Sequence, residues 1–394
     1  MNLKSKIVHR AFAVFLLLSV FVSSNMVLSN ELNLIEIEKK RVLESAEKYL
    51  NETPVTITSF PSPRSAGGIH DFSSEGDYWW PDTTNPEGPY IQRDGETNPN
   101  NFVAHRQALL RFSVQASALA TAYVITHDEK YARHAILHMK AWFLDTLTHM
   151  SPHLKYAQAI KGKVTGRGTG IIDTIHLIEI AKAIEALETS SSWTPDEIAR
   201  VKQWFSTYLE WMTTHEYGIA ERDTKNNHAA CWVFQVAAYA ELVGDTAKMQ
   251  FCRNRFKEVL LPNQLAEDGS FPLELKRTKP YCYSLFNLEA FAGICQILST
   301  KDDNLWNFIL SDGRNMKKAM EFMFPYIQDK SLWKYPPDVM YYQYWPMRQA
   351  SLLFSGIVFN EQKYLALWQT LNPDPPVEEI IRNYPIRQPL LWLK

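Results

Sequence analysis

Apolar positions recur at helical spacing along most of the chain. From Leu34 to about Leu50, and again in a series of later stretches, apolar residues return every three or four positions. Alternating, strand-like patterns are scarce, so the pattern predicts an all-α fold. Helices of this length joined by short connections favour helical hairpins packed in a ring or an arc. The later stretches lie at about 101–126, 129–147, 172–188, 195–215, 227–243, 246–260, 282–299, 314–327 and 346–357.

Two helix boundaries carry explicit signals. Thr194 stands directly before Pro195, which predicts Thr194 as an N-cap with proline at the first helical position. Gly244 follows Val243 where a C-terminal cap is expected. These signals place a helix start and a helix end independently of the periodicity.

Residues 52–100 depart from the helical pattern. The segment is rich in Pro, Gly, Ser and Asp, and a connection this long inside a compact chain is usually functional or disordered. Its aromatic content argues against disorder, so we predict an ordered loop that covers one face of the helical body. A second polar and aromatic loop spans about 328–347.

The N-terminus has the order of features of a secretory signal peptide. Lys4, Lys6 and Arg10 precede an apolar run from Ala11 to Val22, which is too short to span a membrane. Residues 1–30 are therefore predicted to be removed on export, which leaves 31–394 as one periplasmic or secreted domain. An uncleaved N-terminal anchor is the alternative. Because no Cys follows the run, a lipid anchor is not expected, and no stable membrane anchor is predicted.

Composition and charge narrow the class of protein. Hydrophobic residues make up 46% of the chain and charged residues 21%, which is typical of a globular protein. The formal net charge of −2 gives no basic excess, so nucleic acid is not an expected partner. The oligomeric state is left open by the sequence.

Cysteine and histidine spacing indicates no metal or cofactor. The four cysteines lie in apolar stretches without a CxxC pair, which favours buried free thiols over one or two disulfides. His134 and His138 are spaced to share a helix face, but no third ligand is evident, so a solvated face is favoured. HExxH, GxSxG and glycine-rich phosphate motifs are absent from the sequence.

Two helix starts are dense in hydrogen-bonding groups. In the first, Asn226 is a candidate N-cap, which places Asn227 and His228 in a first turn, where free N–H groups favour an anionic ligand. The second follows Arg277 and begins near Pro280, with Tyr281 and Tyr283 in its first turn. Nearby positive charge and the helix dipole are expected to lower the pKa of a phenol there from its reference near ~10.

Between about residues 60 and 300 the chain contains the phrases GGIHDFSSEGDYWWPD, NPEGPYIQRDG, YAQAI, GRGTGIIDT, NNHAA and DGSFPLELKRTKPYCYSLFNLEAF. These phrases resemble the alginate lyase family of helical-toroid polysaccharide lyases, in particular its secreted bacterial branch. It implies an incomplete (α/α) toroid that cleaves a β-linked uronic-acid polymer by β-elimination without a cofactor. Alginate rich in poly-mannuronate is the first expected substrate and glucuronan the next.

The resemblance also implies roles for individual residues. Asn227 and Arg277 would face the substrate carboxylate, and Tyr283 would act as the acid, with Tyr281 as its competitor. His228 would support the carboxylate or act as the base when proton and leaving group lie on opposite ring faces. The expected substrate-binding residues are Arg348, Tyr281, Asn226, Trp79, Trp80, Tyr90, Arg93, His105, Arg106 and Gln158.

Two other classes of function remain open from the sequence. A helical-toroid glycoside hydrolase would need two carboxylates facing each other across a cleft, for which Asp268 and Glu274 are candidates. An exported glycan-binding protein is the non-enzymatic alternative. Such a protein would tolerate the loss of Tyr283 and His228 with little change in glycan affinity.

Overall fold

The computed structural model describes residues 32–393, and the predicted signal peptide lies outside this range. Fifteen α-helices run through the described chain. They are α1 (Leu34–Tyr49), α2 (Ala104–Thr126), α3 (Glu129–Phe143), α4 (Leu177–Leu187), α5 (Pro195–Thr214), α6 (Glu216–Arg222), α7 (Asn227–Val243), α8 (Thr246–Arg255), α9 (Leu261–Gln264), α10 (Pro272–Leu275), α11 (Pro280–Leu298), α12 (Met316–Gln328), α13 (Ala350–Val358), α14 (Gln362–Thr370) and α15 (Glu378–Arg382).

The helices form two layers. An inner row consists of α2, α4, α7, α11 and α13, in which each helix packs on the next. Helices α3, α5, α8, α12 and α14 form an outer layer, in which α3 packs on α2, α5 and α8 on α7, α12 on α11 and α14 on α13. The turn Pro389–Leu391 returns to contact α2 and α4. The predicted all-α arc of helical hairpins is confirmed.

The inner helices are apolar on nearly every side because they are enclosed on nearly every side. In α11, buried residues run almost without interruption from Pro280 to Leu298. Helix α2 is the one described helix long and apolar enough to cross a membrane, but 78% of its most apolar window is buried inside the protein. Its hydrophobicity is therefore accounted for by the core.

The predicted helix boundaries are found at both marked positions. Thr194 and Glu197 form a reciprocal capping box at the start of α5, with Thr194 Oγ1 accepting from the Glu197 N–H at 3.2 Å. Gly244 ends α7 in the left-handed conformation, with φ of 75°. Both helices begin or end where the local sequence satisfies their free backbone groups.

The segment at 52–100 contains short regular elements rather than only loop. Two small sheets form here: β1 (Ser73–Glu75) pairs in parallel with β4 (Tyr156–Ala159), and β2 (Trp79–Trp80) pairs antiparallel with β3 (Ile91–Gln92). Pairing with β4 anchors the segment to the chain between α3 and α4.

The cysteine and histidine predictions have different outcomes. All four cysteines are buried free thiols, as expected. The predicted solvated face of His134 and His138 is wrong, because His138 is only 1% exposed and His134 Nε2 lies 2.8 Å from the carbonyl oxygen of Glu52. The chain that follows α1 covers this face of α3, which sequence periodicity alone does not reveal.

Candidate active site

A pocket of about 310 Å³ lies where the first turns of α7 and α11 meet the 52–100 segment. Four of the residues singled out from the sequence, Asn227, His228, Arg277 and Tyr283, line it together. The full lining comprises Asp77, Tyr78, Trp79, Gln92, Asp94, Gln158, Arg167, Thr169, Ile172, Asn227, His228, Arg277, Tyr283, Phe286, Arg382 and Asn383.

Asn227 is fixed at the start of α7 by a buried carboxylate. Glu274 accepts hydrogen bonds from the Asn227 backbone N–H at 2.7 Å and from its side-chain Nδ2 at 2.6 Å. Burial raises the pKa of Glu274, although these hydrogen bonds oppose the rise. Asn226 occupies the N-cap position, but its side chain makes no capping hydrogen bond. The predicted capping role of the Asn226 side chain is therefore wrong, because Glu274 takes it.

His228 is oriented from behind by a second buried carboxylate. Its Nδ1 lies 2.6 Å from Glu221 Oε1, and the Glu221 side chain is only 1% exposed whereas that of His228 is 18% exposed. A carboxylate can only accept, so Nδ1 carries the proton in this contact. The second ring nitrogen, Nε2, can then accept a proton from a ligand in the pocket, or donate one when the ring is charged.

Tyr283 lies at the opposite side of the pocket, hydrogen-bonded to a second phenol. The hydroxyl oxygens of Tyr283 and Tyr78 are 2.6 Å apart, and the guanidinium carbon of Arg277 is 4.5 Å from the centroid of the Tyr283 ring. Burial raises the pKa of Tyr283 well above its ordinary value, and Tyr78 adds to the rise while Arg277 opposes it. The predicted lowering of this pKa is wrong, because burial outweighs the nearby cation.

Arg277 is held by a carboxylate from the 52–100 segment. Its Nε and Nη2 donate to the two oxygens of Asp94 at 3.0 and 2.7 Å, and Thr278 Oγ1 donates to Asp94 Oδ2 at 3.0 Å. Burial alone would raise the pKa of Asp94, but the hydrogen bonds from Arg277 hold it below its ordinary value. The bidentate pair fixes the guanidinium plane over Tyr283.

Arg167 is one of two cations in the pocket lining that sequence reasoning missed, the other being Arg382. The Nε and Nη2 of Arg167 donate to the carbonyl oxygen and to Oε1 of Gln158 at 3.1 and 2.8 Å. It forms no ion pair with a carboxylate of the described residues, and burial lowers its pKa. Among the pocket arginines it therefore has the most to gain from an incoming anion. The sequence signal that could have identified Arg167 was its position between two glycines in GRGTGIIDT.

A charge cluster that includes Asp77 and Arg382 of the pocket lining fixes the 52–100 segment to the helices. Asp77 accepts from Arg106 Nη1 and Nη2 at 2.8 and 2.5 Å and pairs with Arg382 Nη2 at 2.7 Å. Burial opposes ionisation, but Arg106 and Arg382 lower the pKa of Asp77 to about 2. Arg106 thus lies behind the pocket rather than in its lining, which corrects its predicted direct contact with substrate.

Three other predicted site residues lie away from the pocket. Arg348 Nη1 donates to Glu38 Oε1 at 2.6 Å, and its guanidinium stacks on Trp368. Tyr281 is fully buried, with its hydroxyl donating to the carbonyl oxygen of Tyr326 at 2.8 Å. His105 is 3% exposed and accepts from the Ser73 N–H through Nδ1 at 2.9 Å. Their predicted contacts with substrate are wrong in this arrangement, because protein groups already occupy these side chains.

The remaining predicted residues lie at or near the rim. Gln158 and Trp79 line the pocket, and Gln158 Nε2 donates to Asp173 Oδ1 at 3.1 Å. Trp80, Tyr90 and Arg93 do not line it; Arg93 stacks on the Trp80 ring at 5.0 Å. Within the described residues, no group of three or more His, Cys, Asp or Glu side chains is arranged to hold a metal ion.

Comparisons with known proteins agree with this fold. The family model described as alginate lyase matches residues 56–333. A crystal structure of an alginate lyase from Bacteroides ovatus has 33% sequence identity and a TM-score of 0.78, covering 89% of this chain and 93% of that one. Two variants of alginate lyase A1-III complexed with a tetrasaccharide share the fold at 15% identity, each covering 90% of this chain and 94% of theirs, with TM-scores of 0.56 and 0.54. No curated protein sequence matches the chain.

The helical toroid and the alginate lyases that it matches identify a polysaccharide lyase. The chain belongs to the alginate lyase family, since the family model covers most of its length and a relative at 33% identity aligns over 89% of it. The predicted family is confirmed.

Proposed function

We propose that the enzyme cleaves a β-linked uronic-acid polysaccharide by β-elimination. Poly-mannuronate within alginate is the first candidate substrate and glucuronan the second. The observation that carries the proposal is the pocket itself, in which Tyr283, His228 and Asn227 surround a space that also contains Arg167 without a carboxylate partner. A carboxylate on the bound sugar supplies the anionic partner that Arg167 lacks among the described residues.

The first requirement of the reaction is to neutralise the carboxylate next to C5. An ionised carboxylate resists further negative charge, so the C5 proton becomes removable only when cations and hydrogen-bond donors stabilise the developing enolate. Asn227 Nδ2 donates one hydrogen to Glu274 and keeps the other for the substrate. Arg277 and Arg167 line the same pocket and add positive charge.

The second requirement is to move two protons. The C5–H and C4–O4 bonds break, a C4–C5 double bond forms, the C5 proton passes to the base, and O4 receives a proton from the acid. Because its pKa is raised, Tyr283 holds its proton and is suited to protonate O4. For a syn elimination Tyr283 instead loses its hydroxyl proton to solvent beforehand and begins as a phenolate, which Arg277 over its ring stabilises. The phenolate takes the C5 proton and passes that same proton to O4. For an anti elimination His228 Nε2 takes that proton.

Within the described chain, the pocket contains no carboxyl group suited to act as the acid of a glycoside hydrolase. The lining carboxylates are Asp77 and Asp94, and each is paired with arginine and has a lowered pKa. A glycosidase acid needs a raised pKa. Glu274, whose pKa is raised, accepts hydrogen bonds from Asn227 with both of its oxygens.

Ultraviolet absorbance tests the reaction directly. The chain from residue 31 onward would be mixed with poly-mannuronate, poly-guluronate, glucuronan, hyaluronan and chondroitin. Elimination leaves a conjugated double bond at each new non-reducing end, so we expect absorbance to rise on a mannuronate-rich or glucuronate polymer. New reducing ends without absorbance would instead establish hydrolysis, and glycan binding without either signal would establish a binding protein.

We also propose that residues 1–30 direct export, so that the enzyme works in the periplasm or outside the cell. The support is the order of charged, apolar and small residues in this segment. Expression of the full chain, followed by mass measurement of the exported product, checks this proposal. Retention in the cytoplasm, or an intact N-terminus on a membrane-bound product, would contradict it.

A further inference from the structure

Along one edge of the catalytic pocket, cationic side chains lie over aromatic rings. Lys163 Nζ lies 4.5 Å from the centroid of the Trp79 ring, and the guanidinium carbon of Arg167 lies 5.8 Å from the same ring. Further from the pocket, Lys161 Nζ lies 5.5 Å from the centroid of Tyr90. Because Trp79 and Arg167 line the pocket, this row of cations begins at the pocket edge and runs outward.

A tight turn presents the two lysines. Ile160 and Val164 pair across it, with the Ile160 N–H donating to the Val164 carbonyl at 2.9 Å, and Gly162 has a φ of 76°. A Cβ at position 162 would lie 2.9 Å from Pro89 Cα, so the turn fits closely against the 52–100 segment. The Tyr90 N–H also donates to the Lys161 carbonyl at 3.1 Å. The lysines are thus held in place by backbone contacts.

An open groove of about 710 Å³ lies beside the turn. Its lining includes both lysines together with Arg64, Glu75 and Tyr217. Arg64 is paired with Glu75 through both of its donor groups. Lys161 and Lys163 are exposed and form no ion pair with any carboxylate in residues 32–393. The groove therefore carries positive charge that the protein itself does not neutralise.

We propose that Lys161 and Lys163 form an outer binding site for a polyuronate chain, which holds carboxylates of sugar units beyond those in the catalytic pocket. The inference rests on the proposed function, since it takes the substrate to be a polymer of uronic acids. Every unit of such a polymer carries a carboxylate, so a chain that leaves the pocket past Trp79 meets these lysines next. Exposed ion pairs are individually weak and screened by salt, so the site acts on long chains at low ionic strength.

The test compares substrates of two lengths. In Lys161→Gln/Lys163→Gln we expect the KM for a long polyuronate to rise about three- to tenfold, because two exposed ion pairs are lost. The kcat on this polymer, and both constants on a trisaccharide, stay at the parental values. The rise disappears at high salt. Lys39→Gln/Lys301→Gln removes the same charge from exposed positions elsewhere and serves as the control.

Affinity electrophoresis in gels containing the polymer measures binding without turnover. Weaker retardation of the double variant than of the control supports the outer site, even if the parent protein produces no unsaturated ends and the proposed reaction fails. Equal retardation of parent and double variant overturns the outer site while leaving the reaction intact. Equal losses on trisaccharide and polymer also overturn it, because the lysines would then act at the pocket.

Discussion

The hydroxyl groups of Tyr283 and Tyr78 lie 2.6 Å apart, so one phenol donates its proton and the other accepts it. Tyr78 comes from the 52–100 segment, and Lys279 lies 5.3 Å from its ring centroid. The proton donor of the proposed reaction is thus connected to a residue far away in sequence. Whichever phenol donates, only Tyr283 is also covered by Arg277.

Replacing Tyr283 tests the assignment of the acid. In Tyr283→Phe the ring is kept and only the hydroxyl is lost, so we expect kcat to fall about 10²- to 10⁴-fold with little change in polymer affinity. Absorbance assays and affinity electrophoresis measure the two quantities. Tyr78→Phe, the matched control, removes the other hydroxyl of the pair and is expected to cost less. Near-parental turnover in Tyr283→Phe would show that another group protonates O4.

Glu221 is expected to act through His228 as a positioning residue. Its hydrogen bond fixes which ring nitrogen of His228 carries a proton. In Glu221→Gln we expect kcat to fall about 10- to 100-fold, as for other residues that orient a functional imidazole, with KM nearly unchanged. For any turnover of poly-guluronate, which is eliminated anti, the loss should be larger than on poly-mannuronate, the first candidate substrate. Glu216→Gln, at an exposed position in α6, is the control, and equal losses on both polymers would argue against this role.

At the scale of elements, the site depends on how α7 and α11 begin. Asn227 and Tyr283 both lie in the first turn of an inner helix, and neither helix is capped by the side chain of its own N-cap residue. Glu274 binds the start of α7, and Asp338 accepts the Tyr281 and Cys282 N–H groups of α11 at 2.9 and 3.0 Å. Long-range carboxylates therefore fix the two catalytic helix ends, whereas α5 is capped by its own sequence.

The cap of α5 contributes to stability and is remote from the pocket lining. In Thr194→Ala the hydroxyl that accepts the 3.2 Å hydrogen bond from the Glu197 N–H is lost, whereas the backbone N–H of residue 194 that donates to Glu197 at 2.9 Å is kept. We therefore expect the free energy of unfolding to fall by about 1 kcal/mol. Chemical denaturation measures the change, and turnover should be unaffected. Thr207→Ala, exposed in the middle of the same helix, should be neutral or slightly stabilising because alanine favours helix. A fall in turnover in Thr194→Ala would indicate that α5 influences the pocket.

For the whole molecule, the cluster around Asp77 joins three distant parts of the chain. Asp77 lies in the 52–100 segment, Arg106 in α2 and Arg382 in α15. Asp77 and Arg106 are buried, and Arg382 is partly buried where it lines the pocket. Breaking a buried pair leaves uncompensated charge, which costs about 3–5 kcal/mol. The cluster therefore connects the N-terminal covering segment and the C-terminal helix to the inner row.

Stability should respond to acid through Asp77. Its pKa in the folded protein is about 2, below the ordinary aspartate value of 3.8, so its stabilising effect is present above the unfolded pKa and is lost as pH falls from about 4 towards 2. Asp77→Asn should be less stable than the parent at neutral pH, and the difference should narrow over this interval. Melting temperatures as a function of pH measure it. Asp302→Asn, at an exposed position, is the control, and a constant difference at all pH values would contradict the expectation.

The sequence by itself determined the secondary structure and the family. Helical periodicity follows from short-range spacing of apolar residues, so the all-α arc could be predicted, as could the local caps at Thr194 and Gly244. The first-turn positions of Asn227 and Tyr283 followed from the same local signals. On a helix, residues two apart point in nearly opposite directions, so only one of Tyr281 and Tyr283 can face the pocket.

Only the tertiary structure decided that Tyr283, and not Tyr281, faces the pocket. It also decided which cations have no carboxylate partner in the described part of the chain and can bind a ligand. Arg277 is paired with Asp94, 183 positions away, and Arg348 with Glu38, 310 positions away, whereas Arg167 has no such partner in residues 32–393. Burial likewise reversed the expected pKa shift of Tyr283. Charge pairing and desolvation depend on distances through space, and these distances are set by packing between segments that no local pattern brings together.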